Sequence, residues 1–199
     1  MQAAQKWVKY GADPHGFVIF DDLADQTRPF LSPAMFKEFY EPVFRTIFAE
    51  VHNLGREIHL HSCGKIDALL PMLLEWGLDA IQLDSPRQTG YPALAPFRGR
   101  IMIWGDVNIQ TIYTRGTPAE VEREVWHMVR NLGTPEGGFG AYFYPQVRHI
   151  RVPQANIKAF ERGVKKYGQY AKIPAQWWTH PTPEQWEDNV APPLPPAKA

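Results

Sequence analysis

Cysteine is almost absent from this chain, because Cys63 is the single one among its 199 residues. An internal disulfide is therefore excluded, and the thiol is either a small buried hydrophobic group or a chemical reagent. The sequence also lacks a Cys-x-x-Cys pair, a serine elbow of the G-x-S-x-G type and a glycine-rich loop that opens a helix. The short motifs that would indicate dithiol redox, serine-hydrolase or phosphate-loop chemistry are thus missing.

An excess of charge of one sign is lacking as well, since Lys and Arg together number 21 and Asp and Glu together number 21. A nucleic-acid or anionic-membrane partner would require a basic face, so neither is expected. No apolar run approaches the roughly 20 residues of a membrane span, and residues 1–10 lack the features of a signal peptide. The sequence therefore predicts a cytoplasmic protein that binds a small molecule.

What is present is a regular alternation of strand and helix patterns. With 44% hydrophobic residues, the chain can bury one sizeable core. Short apolar and β-branched runs predict five strands, at residues 17–21, 57–61, 79–83, 100–104 and 139–144. Apolar residues at three- and four-residue steps predict a helix at residues 32–53. Further helices are expected at 66–76, at 118–132, where Thr117 and Glu120 have the spacing of a capping box, and at 154–167.

This order, with short connections, is typical of parallel βα units whose sheet is covered by helices. The expected fold class is α/β, of the (β/α)8 barrel type. A barrel needs eight strands and about 250 residues, so an N-terminal part is expected to be missing or supplied by another chain. An open parallel sheet of five strands is the alternative. Residues 1–172 are assigned to this partial barrel, and residues 173–199, rich in Pro and Trp, to an extended C-terminal segment with a disordered end.

The sequence around residue 61 places an imidazole beside a thiol. Side chains alternate along a strand, so His59, His61 and Cys63 share one face and the residues between them share the other. Imidazole nitrogen and thiolate sulfur are ligand types that zinc prefers, and a catalytic zinc takes three protein ligands and leaves a fourth position open. His61 and Cys63 are therefore candidate zinc ligands. The alternative is a strand-end histidine beside a buried cysteine.

Four acidic residues follow predicted strands, namely Asp21, Asp22, Asp84 and Asp106. Barrel enzymes keep their catalytic residues at the carboxyl ends of strands, which makes all four candidate catalytic residues. Asp21 and Asp22 point to opposite faces of the strand, so at most one of them faces a pocket. The alternative for each is that an Asp at a strand end caps the turn or helix that follows.

Four further polar residues are candidates for substrate binding. Arg28, downstream of the first strand, could neutralise a carboxylate or bind an anionic substrate. Tyr144, Arg148 and His149 follow the last predicted strand and supply a phenol, a guanidinium and a second imidazole to the same rim. The alternative is that these are solvated loop residues.

Several short segments stand in a recognisable order: FDDLA at residues 20–24, LSPAMF at 31–36, LHSCG at 60–64, WGDVNIQ at 104–110, GTPAEVE at 116–122 and VPQANI at 152–157. Together they resemble the C-terminal half of the uroporphyrinogen decarboxylase superfamily, over most of residues 6–167. The resemblance implies a (β/α)8 barrel of which the five predicted strands are the fourth to the eighth.

That superfamily also contains zinc- and corrinoid-linked methyltransferases that act on thiols. The resemblance therefore implies a zinc-dependent enzyme that moves a methyl group from a corrinoid protein to a thiol. In that pattern His-x-Cys, here His61 and Cys63, binds zinc together with a second cysteine near the last strand. This sequence has no second cysteine; the candidate replacements are His149 and a strand-end carboxylate such as Asp106, and the alternative is that no metal is bound.

Two alternatives remain open. One is a metal-free carboxy-lyase of the uroporphyrinogen decarboxylase type in porphyrin and heme biosynthesis, whose key Asp and Arg residues lie in an N-terminal part that this sequence does not contain. The other is a truncated, non-catalytic barrel subunit. A half barrel leaves strand edges unpaired, so a homodimer or association with a missing N-terminal half is expected.

Overall fold

The computed structural model of the chain describes residues 2–178, which contain five strands in parallel pairs. The strands are β1 (Gly16–Phe20), β2 (Glu57–Ser62), β3 (Ala80–Leu83), β4 (Met102–Gly105) and β5 (Phe139–Ala141). All five predicted strands are present, and their ends agree to within three residues. The largest difference is at β5, which ends at Ala141 rather than at residue 144. Residues 145–151 form turns instead.

Helices alternate with these strands. They are α1 (Gln2–Lys9), α2 (Pro33–Asn53), α3 (Leu70–Glu75), α4 (Pro86–Thr89), α5 (Tyr91–Leu94), α6 (Ile112–Arg115), α7 (Pro118–Leu132), α8 (Gln154–Tyr167) and α9 (Ala175–Trp178). The Ser32 hydroxyl caps α2 by accepting from the Met35 N–H at 3.3 Å. Thr117 and Glu120 form a capping box at α7. The α/β class predicted from the sequence is therefore confirmed.

The chain divides into two compact units, Met1–Leu83 and Asp84–Ala199. In the first unit β1 pairs with β2 and β2 with β3, all in parallel. Helix α2 contacts β2. The alternate residues Ile58 and Leu60 of β2 are fully buried, as is Phe48 of α2. Burying each such side chain stabilises the fold by about 1.5–3 kcal/mol, so this layer is the core of the unit.

In the second unit β4 pairs with β5 in parallel, and α7 packs against α8. The two helices approach closely where Gly163 faces Val125, because a Cβ on Gly163 would lie 3.0 Å from the Val125 Cβ. Val125 and Trp126 of α7 and Ala159 of α8 are fully buried. The buried apolar residues of α7 and α8 thus form the contact between the two helices.

A buried charge on α7 anchors the segment that follows β3. Glu124 is 2% exposed, and its carboxylate accepts from the Arg87 guanidinium at 2.6–2.9 Å and from the Tyr91 hydroxyl at 2.6 Å. Charge-assisted bonds of this kind satisfy a carboxylate that burial would otherwise penalise. They hold α4 and α5 against α7.

The C-terminal segment differs from the expectation where it is described. Residues 175–178 form the helical turn α9 rather than an extended chain, and Trp178 is buried. The Arg98 guanidinium lies 5.6 Å from the Trp178 ring, a cation–π contact that favours this position. Residues 179–199, including the expected disordered end, lie outside the described residues, and the boundary at residue 172 stays a prediction. Between residues 2 and 178, none of the helices has the length and apolar character that a membrane crossing requires.

Candidate metal centre

One face of the strands in the first unit carries a row of three paired residues. Phe20, His61 and Gln82 lie opposite one another on β1, β2 and β3. Asp22 and Cys63 come two residues after Phe20 and His61, just past the strands, and the Cys63 N–H donates to Asp22 Oδ1 at 2.9 Å. Because side chains alternate, this spacing brings Asp22, His61 and Cys63 to the same face.

The two loops that carry these residues are tied to each other. The Leu23 N–H donates to the buried hydroxyl of Ser62 at 3.0 Å, and the Lys65 N–H donates to the Asp25 carbonyl at 2.8 Å. Gly64 has φ +82°, and a Cβ there would overlap the Asp25 carbonyl oxygen. Only glycine fits so tight a turn. The chain after β2 is therefore held against the chain after β1.

Three possible metal-ligand atoms meet at this place. His61 Nε2 lies 3.5 Å from Cys63 Sγ and 3.5 Å from Asp22 Oδ1, and the three ligand atoms all lie within 4.8 Å of one another. A tetrahedral zinc with Zn–S of about 2.3 Å and Zn–N and Zn–O of about 2.0–2.1 Å would place such atoms about 3.3–3.6 Å apart. The two separations from His61 Nε2 match a zinc tetrahedron, and the Asp22 and Cys63 ligand atoms lie within 4.8 Å of each other.

The hydrogen bond on the other side of the His61 ring also favours binding of a metal ion. Gln82 Oε1 accepts a hydrogen bond from His61 Nδ1, which selects the tautomer with the proton on Nδ1. The lone pair of Nε2 then points toward Cys63 and Asp22. A histidine that binds metal commonly donates its other ring N–H in this way. Gln82 is 9% exposed, so the ring is held by a buried partner.

Asp21 and Asp22 differ as the alternation predicted. Asp22 belongs to the cluster, whereas Asp21 does not. The Asp21 backbone N–H donates to the His61 carbonyl at 3.1 Å, which continues the ladder between β1 and β2. Partial burial and the charge of Asp22 raise the pKa of Asp21. Asp21 thus extends the strand, and Asp22 carries the candidate ligand atom.

In the second unit Asp106 follows β4 and is 1% exposed. Neither carboxyl oxygen has a hydrogen-bond partner among residues 2–178. Burial, and secondly the charge of Asp84, raise the pKa of Asp106 to about 9. Asp106 therefore holds a proton at neutral pH. The buried Tyr113 hydroxyl also lacks a partner within this range, and its pKa is raised by burial and by Asp106.

The four residues suggested for substrate binding lie in loops. Arg28 is exposed, and its backbone N–H donates to Asp25 Oδ1 at 2.9 Å. Tyr144 is half-buried, and Arg148 and His149 are exposed in the turns after β5. None of the four belongs to the three-ligand cluster found among the described residues.

Two features of the centre were not assigned from the sequence. The third member of the cluster is Asp22, a strand-end carboxylate, whereas the sequence names His149 and Asp106 as examples of a replacement for the missing cysteine. Alternation along β1 places Asp22 on the same face as Phe20. The pairing register of β1 with β2 is what brings that face beside His61. Gln82 is the second such feature, and it is the one polar residue in the four-residue strand β3. A polar side chain in a buried strand requires a partner, and His61 is that partner.

Parallel strands alternating with helices, and a His-x-Cys and Asp cluster at the strand ends, define an α/β protein with a candidate metal centre. The model of the family described as uroporphyrinogen decarboxylase (URO-D) matches residues 1–193. The chain therefore belongs to the uroporphyrinogen decarboxylase family, as the sequence motifs predicted.

Among solved structures, a methyltransferase from Methanosarcina mazei is similar, with a TM-score of 0.59 and 18% sequence identity. The match covers 83% of this chain and 45% of that one, so the chain spans less than half the length of the methyltransferase. At this identity the likeness shows the fold, and it is consistent with part of a (β/α)8 barrel. No curated protein matches the sequence.

Proposed function

We propose that this chain carries the zinc centre of a methyltransferase that moves a methyl group from a corrinoid protein to a thiol. The observation that carries the proposal is the cluster of Asp22, His61 and Cys63, in which His61 Nε2 lies 3.5 Å from each of the other two ligand atoms, a separation typical of zinc ligands. Three protein ligands leave a fourth position open, as a catalytic site requires.

Each residue of the centre has a separate task in this proposal. His61 offers Nε2, since Gln82 holds the proton on Nδ1. Cys63 offers a thiolate, and Asp22 offers a carboxylate oriented by the Cys63 N–H. A bound zinc would hold the sulfur of a substrate thiol as thiolate, which raises its nucleophilicity at neutral pH. The zinc centre would thereby activate the substrate thiol as methyl acceptor, and the corrinoid protein would supply the methyl group.

Elemental analysis of tag-free protein tests the proposal. We expect about one zinc per chain in the parent and a large loss in the Asp22→Asn, His61→Ala and Cys63→Ser variants. His59→Ala is the matched control, because His59 lies on the same face of β2 but bonds to Glu57 at 3.0 Å. A parent protein with no zinc above background would exclude a zinc-dependent activity.

A second candidate function is favoured by Asp106. A carboxy-lyase must deliver a proton to the carbon that loses carbon dioxide, and a carboxyl group with a pKa of about 9 retains that proton at neutral pH. We propose Asp106 as the acid if the chain is a decarboxylase. Incubation of the parent and of Asp106→Asn with uroporphyrinogen tests this, with carbon dioxide release as the readout. No release by the parent would reject the alternative.

Association is part of the proposal. Among the described strands of the first unit, β1 pairs with β2 alone, which leaves its other edge open. An open parallel edge favours pairing with another strand, either in a homodimer or with a separate N-terminal half barrel. The chain would then be a subunit, catalytic or not. Light scattering of the purified protein distinguishes a monomer from a dimer.

A cytoplasmic location is also part of the proposal. The Cys63 thiol must stay reduced to bind a metal ion, and the cytoplasm keeps thiols reduced.

A further inference from the structure

The side chains beside the candidate metal centre on β1 are apolar and uncovered. Phe20 lies opposite His61, with ring centroids 5.3 Å apart, and Phe20 is 74% exposed. Val18 lies opposite His59 on the same face and is 49% exposed. The ring of Phe20 therefore stands next to the imidazole and two residues from Asp22. A group attached to a sulfur bound at the centre would meet this surface within the first unit.

Each of the two loops that frame the centre carries a basic residue, Arg28 after β1 and Lys65 after β2. Lys65 Nζ lies 3.4 Å from Asp67 Oδ1. Arg28 is exposed; the pKa of Asp25 is lowered mainly by hydrogen bonds from Thr27 and from the Arg28 backbone, and least by the charge of Arg28. Of these two cations, Lys65 is therefore the one that is paired with a carboxylate.

The charge of the three ligands disfavours a substrate that carries a further negative group. The Asp22 carboxylate and the Cys63 thiolate bring two negative charges, which balance a divalent metal ion, while His61 is neutral. A substrate thiolate would make the centre negative by one unit. A second negative group on the same substrate would then meet a repulsive field next to an apolar wall.

We propose that this site takes a thiol whose sulfur is carried on an uncharged apolar group, which packs on Phe20 and Val18, in preference to an anionic thiol. The inference rests on the proposed function, because it requires metal at Asp22, His61 and Cys63. It adds the class of substrate and assigns Phe20 as the residue that sets it. An aromatic substituent suits this surface because offset or tilted ring pairs gain more than their buried area alone.

Binding of thiols to the protein loaded with Co²⁺ in place of zinc tests the proposal without measuring turnover. The sulfur-to-cobalt absorption band reports coordination of the added thiol. Three thiols separate the effect of apolar burial from the effect of negative charge: benzyl mercaptan, 2-mercaptoethanol and 2-mercaptoethanesulfonate. We expect benzyl mercaptan to bind about tenfold more tightly than 2-mercaptoethanol, from burial of its ring, and 2-mercaptoethanesulfonate to bind more weakly than both.

Substitutions at Phe20 locate the preference. Phe20→Ala should remove most of the about tenfold preference for benzyl mercaptan and leave cobalt affinity unchanged. Phe20→Arg should instead favour 2-mercaptoethanesulfonate, since it places a cation beside the site. Phe39→Ala is the matched control, because Phe39 on α2 is 57% exposed and its loss should change neither ratio.

The outcomes are distinguishable. Failure of the parent to bind cobalt would overturn the proposed function and this inference with it. Cobalt binding combined with equal or tighter binding of 2-mercaptoethanesulfonate would overturn this inference alone. This inference alone would also be overturned if the preference for benzyl mercaptan survived in Phe20→Ala or was lost in Phe39→Ala. The apolar group would then bind at another surface, or through non-specific hydrophobic association.

Discussion

The buried carboxyl group of Asp106 should make the stability of this protein depend on pH. In the unfolded chain this group loses its proton near its ordinary pKa of 3.8, whereas in the folded protein it does so at about 9. Between these values the folded state holds one proton more than the unfolded state. The free energy of unfolding must therefore fall as pH rises through this window.

The size of the effect follows from the linkage relation. One proton of difference corresponds to about 1.4 kcal/mol per pH unit, so between pH 5 and 8 the contribution of Asp106 falls by about 4 kcal/mol. Asn at this position has a similar shape and does not ionise. Asp106→Asn should therefore be increasingly stabilised relative to the parent as pH rises. Any difference in the packing of the amide changes the free energy of unfolding by the same amount at every pH. It therefore does not alter the dependence of that free energy on pH.

Urea unfolding followed by circular dichroism at pH 5, 6, 7 and 8 measures both proteins. Asp13→Asn is the control for loss of a carboxylate at the surface, because the Asp13 side chain is 83% exposed. Its difference from the parent should not depend on pH. If the difference between Asp106→Asn and the parent were constant from pH 5 to 8, Asp106 would be ionised in the folded protein, and its assignment as an acid would be wrong.

Three further predictions concern the centre. Ser62→Ala should lower the free energy of unfolding by about 1–3 kcal/mol, because it strands the buried N–H of Leu23; thermal denaturation checks this. Gln82→Leu should weaken zinc binding about 10–100-fold with little change in fold, because His61 Nδ1 loses its hydrogen-bond acceptor. Competition with a chelating dye measures the zinc affinity. An unchanged affinity would contradict the tautomer assigned to His61. Gly64→Ala should destabilise the protein and reduce its zinc content, because φ is +82° and the added Cβ overlaps a carbonyl; normal zinc content in a folded variant would refute the tight-turn argument.

All five strands and the two helices α7 and α8 agree well with the sequence prediction, whereas five short helices within residues 2–178 were not predicted. The bounds of α7 and α8 agree because the capping box of Thr117 and Glu120 and the closing residues Gly133 and Gly168 are local signals. The predicted helix at residues 66–76 is shorter in the structure, where α3 spans Leu70–Glu75. Ile66 and Leu69 are buried, but residues 67–69 form a turn, and apolar spacing alone does not distinguish such a turn from the start of a helix.

The sequence by itself determined the α/β class, the strand on which His61 and Cys63 share a face, and the family, because alternation and motif order are properties of neighbours along the chain. Only the tertiary structure decided that Asp22, 39 and 41 residues before His61 and Cys63, completes the cluster, and that Gln82 holds the imidazole. Both depend on the register between strands, which is set by long-range pairing and burial rather than by local sequence.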